Sequence, residues 1–255
     1  MKRISYLFVL ALFTGNIACE KIVELPGQIP GMGGTPGEIE VSDSFSFPEA
    51  IHLLGKIKGF DDDMTGYSRF GCGTSGCGLR IKFTLVNSAG EPRTVFFPRG
   101  LIIKSDSADY KNGILLQTTW VSLEANSSRN VFMELCGLEP NDPDINQNIT
   151  YSIIGKTDSE VMKSLLDIIS WKMINYEMIY GTFSGKDGDS KSYSYTEIAD
   201  RLRDIVYNLT TYGTGITSDD RAFINNIPDL PLFEVPYIDS LGNYPLWFPE
   251  FVVTD

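Results

Sequence analysis

Histidine is almost absent from this chain: one residue, His52, in 255. A multi-histidine metal centre is therefore excluded. A Ser–His–Asp triad or a Cys–His pair would have to use His52, and no Gly-x-Ser-x-Gly elbow accompanies it. Positive charge is also scarce, with 21 Lys and Arg against 33 Asp and Glu and a formal net charge of -12. That balance gives no basic face for nucleic acid. No segment reaches the roughly 20 consecutive apolar residues that a bilayer-spanning helix needs. Internal repeats are lacking too. What is present is core material: 42% of the residues are apolar and 12% aromatic, too much for a disordered chain and enough for one large domain.

The first residues read MKRISYLFVLALFTGNIAC. Lys2 and Arg3 form a positive start, Tyr6 to Phe13 a short apolar stretch, and small or polar residues lead to Cys19. This is the pattern of a secretory signal peptide over residues 1–18. Ile17-Ala18-Cys19 resembles the lipobox of bacterial lipoproteins, with Asn16 where those signals carry a branched residue. The resemblance implies that Cys19 becomes a lipidated mature N-terminus, bearing acyl chains such as palmitate. More than one chain is what stable anchoring takes. Removal of residues 1–18 takes Lys2 and Arg3 with it, so the mature chain is more acidic still and the lipid alone must hold it to an anionic membrane.

Residues 19–44 are expected to be a tether. Between Pro26 and Gly37 stand three prolines and five glycines, with neither helical nor strand period. A flexible chain of ~20 residues would reach ~25 Å.

The body is expected to be α+β: an antiparallel β-sandwich over residues 45–155, then a segment of two or three helices and an irregular Pro/aromatic tail over 156–255. Gly78 to Val86 alternates apolar and polar, placing Leu79, Ile81, Phe83 and Leu85 on one face. Further runs cover Arg93–Ile103, with Pro98 marking a bulge or edge, Gly113–Leu123 with Trp120, Asn130–Leu135 and Tyr151–Ile154, and a short piece lies within Phe45–Leu54. From Thr157 the period becomes helical. Thr157-Asp158-Ser159-Glu160 reads as a capping box opening a helix that runs to Gly181. Ser194-Tyr195-Thr196-Glu197 opens a second, with Ile198, Leu202, Ile205 and Leu209 inward, and a third spans Ser218–Ile227. The tail carries prolines at 228, 231, 236, 245 and 249 among Trp247, Phe248 and Phe251, a composition suited to a strap across the body.

With Cys19 lipidated, Cys72, Cys77 and Cys136 remain, an odd number in an exported chain. A local Cys72–Cys77 loop, a bridge from Cys136 to either, and no bridge at all stay open. The acidic runs Asp61–Asp63, Asn141–Asp144 and Asp187–Ser190 fit no EF-hand spacing and read as solvated turns. Asp106-Ser107-Ala108 and Asp239-Ser240-Leu241 resemble the short acceptor of O-glycosylation in Bacteroidetes. Tyrosine supplies the candidate ligand contacts, namely Tyr193, Tyr195, Tyr212 and Tyr237, since its ring stacks on sugars and its hydroxyl hydrogen-bonds.

Gly76-Cys77-Gly78, Phe97-Pro98-Arg99-Gly100, Tyr110 to Gln117, Leu135-Cys136-Gly137 and Thr217-Ser218-Asp219-Asp220-Arg221 occur in that order. Together they resemble a β-sandwich module of secreted and lipid-anchored bacterial proteins of the Bacteroidetes type, over roughly residues 70–230. The resemblance implies a sandwich with a following helical segment and an address in the cell envelope. The functional expectation is a lipid-anchored, extracytoplasmic binding module of the outer membrane, without catalytic residues, metal or cofactor, whose partner is a protein or a glycan. Two alternatives belong to other classes. One is a structural subunit of a fimbria or adhesin, joined by a donated strand such as Phe251–Val253. The other is a carboxylate-based hydrolase of envelope polymers.

Overall fold

The computed structural model describes Leu25 and residues 27–60, 71–73, 78–139, 147–174 and 195–229, with backbone only at 71–73, 120, 195 and 196. Eleven strands are present among these residues: β1 (Val41–Asp43), β2 (Ile51–Leu53), β3 (Ile57–Gly59), β4 (Gly71–Gly73), β5 (Gly78–Asn87), β6 (Arg93–Phe97), β7 (Leu101–Ser105), β8 (Gly113–Ile114), β9 (Thr119–Leu123), β10 (Ser127–Gly137) and β11 (Thr150–Thr157). The α+β class and the antiparallel, strand-rich core are as expected.

The two-layer sandwich is not confirmed among the described strands. Six of them close on themselves in the order β3–β5–β10–β8–β7–β11–β3, every pairing antiparallel. Closure leaves these strands without the free edges that a sandwich exposes. Sequence alternation reports which side chains share a face but carries no curvature, which is why sandwich and barrel look alike on that criterion.

β5 keeps the expected alternation, with Leu79, Ile81, Phe83 and Leu85 all buried. These point into the barrel beside Leu101, Ile103, Val131, Met133 and Leu135. Strand β5 is matched along its length by β10, from Asn87 opposite Ser127 to Gly78 opposite Cys136. The run expected over Arg93–Ile103 is two strands, because Pro98–Gly100 makes a full turn, with the Leu101 amide donating to the Pro98 carbonyl at 3.2 Å. The run Gly113–Leu123 is likewise divided into β8 and β9. β6 and β9 form a separate two-stranded ribbon whose Val95, Phe97, Val121 and Leu123 join the barrel's inner core.

Among the described residues, three α-helices cover the outside. They are α1 (Glu160–Ile169), α2 (Tyr195–Tyr207) and α3 (Ser218–Asn226), with one π-helical turn over Asn208–Tyr212 after α2. Their apolar stripes pack on the outer face of the sheet, against Ile102, Ile114, Leu116 and Cys136. The helices and barrel thus share a core, but through the face opposite to Leu79, Ile81, Phe83 and Leu85. Side chains alternate across a strand, so Ile102 faces the helices while its neighbours Leu101 and Ile103 face inward.

Helix α1 begins two residues later and ends sooner than the periodicity predicts. Its N-cap is Ser159, whose hydroxyl accepts from the Met162 amide at 3.2 Å, while Thr157 remains in β11. It stops at Ile169, so Met173 is not helical. The buried amide of Gln117 donates to the carbonyls of Ser170 and Lys172 at 3.0 and 2.9 Å, meeting the acceptors that a helix end leaves open. For α3, Thr217 and Asp220 form a reciprocal capping box. The buried Asp220 carboxylate also pairs with Arg201 of α2 at 2.7 Å, joining the two helices.

The largest departure from expectation is the glycine-rich segment. Residues 27–43 are not a tether: Ile29, Met32 and Ile39 are buried in the core beneath the helices. β1 pairs with β11. Gly27 donates to Leu209, and Gly33, at φ 58°, lies so close to the Thr210 carbonyl that a Cβ would overlap it. The glycines that looked like flexibility are needed for backbone-to-backbone contact with the π turn. The tail beyond residue 229, with Trp247, Phe248 and Phe251, lies outside the described residues.

Candidate functional site

A cleft of about 520 Å³ opens where the glycine-rich loop passes the end of β7. One wall is backbone of Gly31–Gly37 with Glu38, and the other is Lys104 to Asn112 with Glu139. The loop is shaped by its own hydrogen bonds: the Gly31 amide donates to the Thr35 carbonyl at 3.0 Å, and the Thr35 hydroxyl donates to the Gly27 carbonyl at 2.9 Å.

The opposite wall is stapled by side chains. Asn112 accepts from the Ser105 amide at 2.9 Å and donates through its side-chain amide to Glu139 at 2.8 Å. The other Glu139 oxygen accepts from the Asn112 backbone at 2.7 Å. These bonds tie the ends of β7, β8 and β10 together. Asp106 accepts from Thr150 at 2.5 Å on one oxygen and from Ser152 at 3.1 Å on the other, fixing the same loop to β11. Tyr110 is half-buried in this wall, and Glu38, Lys104 and Asp106 are exposed.

Asp106 stands between this cleft and a smaller hollow of about 300 Å³ lined by Phe45, Phe47, Leu53, Ile57, Tyr151 and Ile153. Phe45 and Phe47 pack edge to face at 5.1 Å, and Phe45 stacks on Phe97 at 5.6 Å. A polar, carboxylate-rich cleft therefore adjoins an apolar, aromatic one. Among the described residues, no group of three or more His, Cys, Asp or Glu could hold a metal ion. No described helix is long and apolar enough to cross a membrane.

Of the tyrosines and cysteines singled out from sequence, none whose side chain is described lines this cleft. Tyr212 ends the π turn and is 65% exposed, away from the cleft lining. Tyr195 opens α2, its side chain outside the described residues, as are Tyr193 and Tyr237 altogether. His52 is an exposed residue of β2. Of the cysteines, Cys136 is fully buried under the helices. Cys72 is placed by its backbone on β4, opposite Met133. Cys19 and Cys77 lie outside the described residues, as do the three acidic runs. Sequence reasoning missed Glu38, Lys104, Tyr110 and Glu139, which come from three distant segments. The available signals were the glycine cluster and the polar stretch 104–112, one part of which, Asp106-Ser107-Ala108, had already stood out as a possible modification site. Comparison of the chain with protein-family models, with curated proteins and with solved structures found no match.

Proposed function

We propose that the protein is a non-catalytic extracytoplasmic binding module, held to the outer membrane by a lipidated Cys19, and that it binds a glycan in the cleft beside the glycine-rich loop. The observation that carries this is the cleft's lining: three carboxylates, an amide and a half-buried tyrosine around about 520 Å³. That volume suits a small organic ligand, for which sites of about 300–1,000 Å³ are usual. Carboxylates only accept hydrogen bonds, and a sugar offers many hydroxyl donors. The Tyr110 ring supplies a flat surface for a sugar's C–H face. A protein partner is less suited to a concave site of this size, since stable protein interfaces cover about 800 Å² on each side. Hydrolysis is disfavoured because both oxygens of Asp106 and both of Glu139 already hold wall hydrogen bonds.

Titration calorimetry with a panel of oligosaccharides tests the site. Binding should be seen for at least one of them, and Tyr110→Ala should weaken it about tenfold through loss of ring contact. No binding across neutral, cationic and anionic sugars would overturn the reading. The anchor is tested separately. Cys19→Ser should move the protein from the detergent-extracted membrane fraction to the soluble one. A wild-type protein that is already soluble and begins at another residue would refute lipidation.

A further inference from the structure

The outer barrel face away from the helices gathers positive charge in a chain that is acidic as a whole. The helices pack on β7, β8 and the end of β10, and no residue of β3 or β5 belongs to the core beneath them. Ile57, Leu79 and Ile81 point into the barrel, so Lys58, Arg80 and Lys82 point out. Lys56 is exposed beside them. These four cations are set against two carboxylates: Glu134, which is opposite Arg80, and Asp106, whose oxygens accept from Thr150 and Ser152.

Two features of this face do nothing for the fold. Lys58 and Lys82 stand directly opposite each other on paired strands. Like charges so placed destabilise a sheet. Among the described residues neither has an ion pair, whereas Arg93, Arg99, Lys163, Lys172, Arg201 and Arg203 each have one. The Lys82 Nζ is held over the Phe60 ring, 5.0 Å from its centroid. The second feature is a bulge. β2 and β3 both pair with β5, but residues 54–57 stand opposite Phe83 and Thr84 alone. Gly55 turns the bulge at φ 81°, and Leu54 is left 62% exposed next to Lys56. The Leu54 amide donates to the Thr84 carbonyl at 2.9 Å, which places it two residues along β5 from Lys82.

Paired lysines beside a protruding leucine fit a surface that is anionic on top and apolar beneath. A soluble acidic polymer would satisfy the lysines and leave Leu54 in water. The net charge of -12 does not oppose this, because charges more than about 8 Å away are screened at physiological salt. We propose that the outer face of β3 and β5 docks on an anionic lipid bilayer, with Lys58 and Lys82 meeting lipid phosphates and Leu54 entering the acyl boundary.

The test sediments full-length protein carrying Cys19→Ser, which removes any acyl anchor, with vesicles of phosphatidylcholine alone or mixed with phosphatidylglycerol. Residues 1–18 are the same in every variant, so differences between variants report the barrel face. The protein should sediment with the anionic vesicles and be released by added salt. Lys58→Gln with Lys82→Gln should weaken binding about fivefold for each lysine. The same pair should keep or raise Tm, because a like-charged contact is removed. Lys163→Gln with Arg203→Gln takes as much charge from the helices and should leave binding unchanged. Leu54→Ser should weaken binding severalfold. Equal binding to both kinds of vesicle, or an equal loss in the two double variants, would overturn the proposal. Release by a galacturonate oligomer together with full binding by Leu54→Ser would overturn it in favour of an acidic glycan.

Discussion

Leu165→Ala should lower the unfolding free energy by about 2–5 kcal/mol and leave a single cooperative transition. Leu165 is fully buried on α1, in one cluster with Ile102, Ile114 and Cys136 from the barrel and Leu202, Ile205 and Leu209 from the region of α2. A cavity opened there is lined by both layers, so the loss is felt by both. Urea unfolding followed by far-UV circular dichroism and by tyrosine and tryptophan fluorescence would show coincident curves shifted together. Two separated transitions in wild type, or a mutant whose β signal keeps its wild-type midpoint, would mean that the helices are an independent layer.

Gly33→Ala should be comparably damaging, at about 3–5 kcal/mol, even though it adds only a methyl group. Gly33 has a positive φ of 58°, which an L-residue resists. Its Cβ would also fall on the Thr210 carbonyl, which is backbone and cannot rotate aside. Thr210 is itself held, its buried hydroxyl donating to the Val206 carbonyl at 2.9 Å. The loop must therefore undock, taking the buried Met32 out of the core. Gly34→Ala is the control for the clash alone, since Gly34 also has a positive φ, 82°, but a Cβ there meets nothing within 4 Å. Limited proteolysis should cut the Gly33→Ala protein within residues 27–38 at a protease dose that spares wild type, and glycan binding should fall with it. A Gly33→Ala protein with wild-type Tm and wild-type resistance would show that the loop is not docked as described.

These two sites show what the sequence made visible and what it hid. The helical stripe through Leu165 and the alternation through Leu79 and Leu85 are local periodicities, so each could be read within a dozen residues. The stretch Thr217 to Arg221 was in view as part of a resemblance, and neither the capping box at Asp220 nor its ion pair with Arg201 was read from it. Curvature was hidden, because the same alternation serves an open sheet and a closed one. One clue did exist: β7 is buried at Leu101, Ile102 and Ile103 in succession, which means both faces of that strand are covered. The docking of the glycine-rich segment was hidden more deeply. Composition treats glycine as freedom, but at Gly33 its lack of a side chain serves contact with a backbone some 180 residues away in sequence. The cleft inherits that difficulty, since it exists only once residues 31–38 have come to rest beside residues 104–112.

The route by which the chain enters the body has a mechanical consequence. A pull on the residues before Gly27 reaches the β1–β11 pairing only after passing through the glycine-rich loop. The first contacts to bear it are the Gly27–Leu209 hydrogen bond, the Gly33–Thr210 approach and the turn closed by Gly31 and Thr35. Each such hydrogen bond contributes about 1 kcal/mol, whereas the barrel's long β5–β10 ladder bears load along ten consecutive residue pairs. The loop is thus the weakest link in series, and it is also one wall of the cleft. Tension on an anchored N-terminus would open the cleft while the barrel stayed intact, and an occupant bridging the two walls would share the strain. If Cys19 is lipidated as proposed, retention of that occupant would depend on how hard the chain is drawn against that anchor.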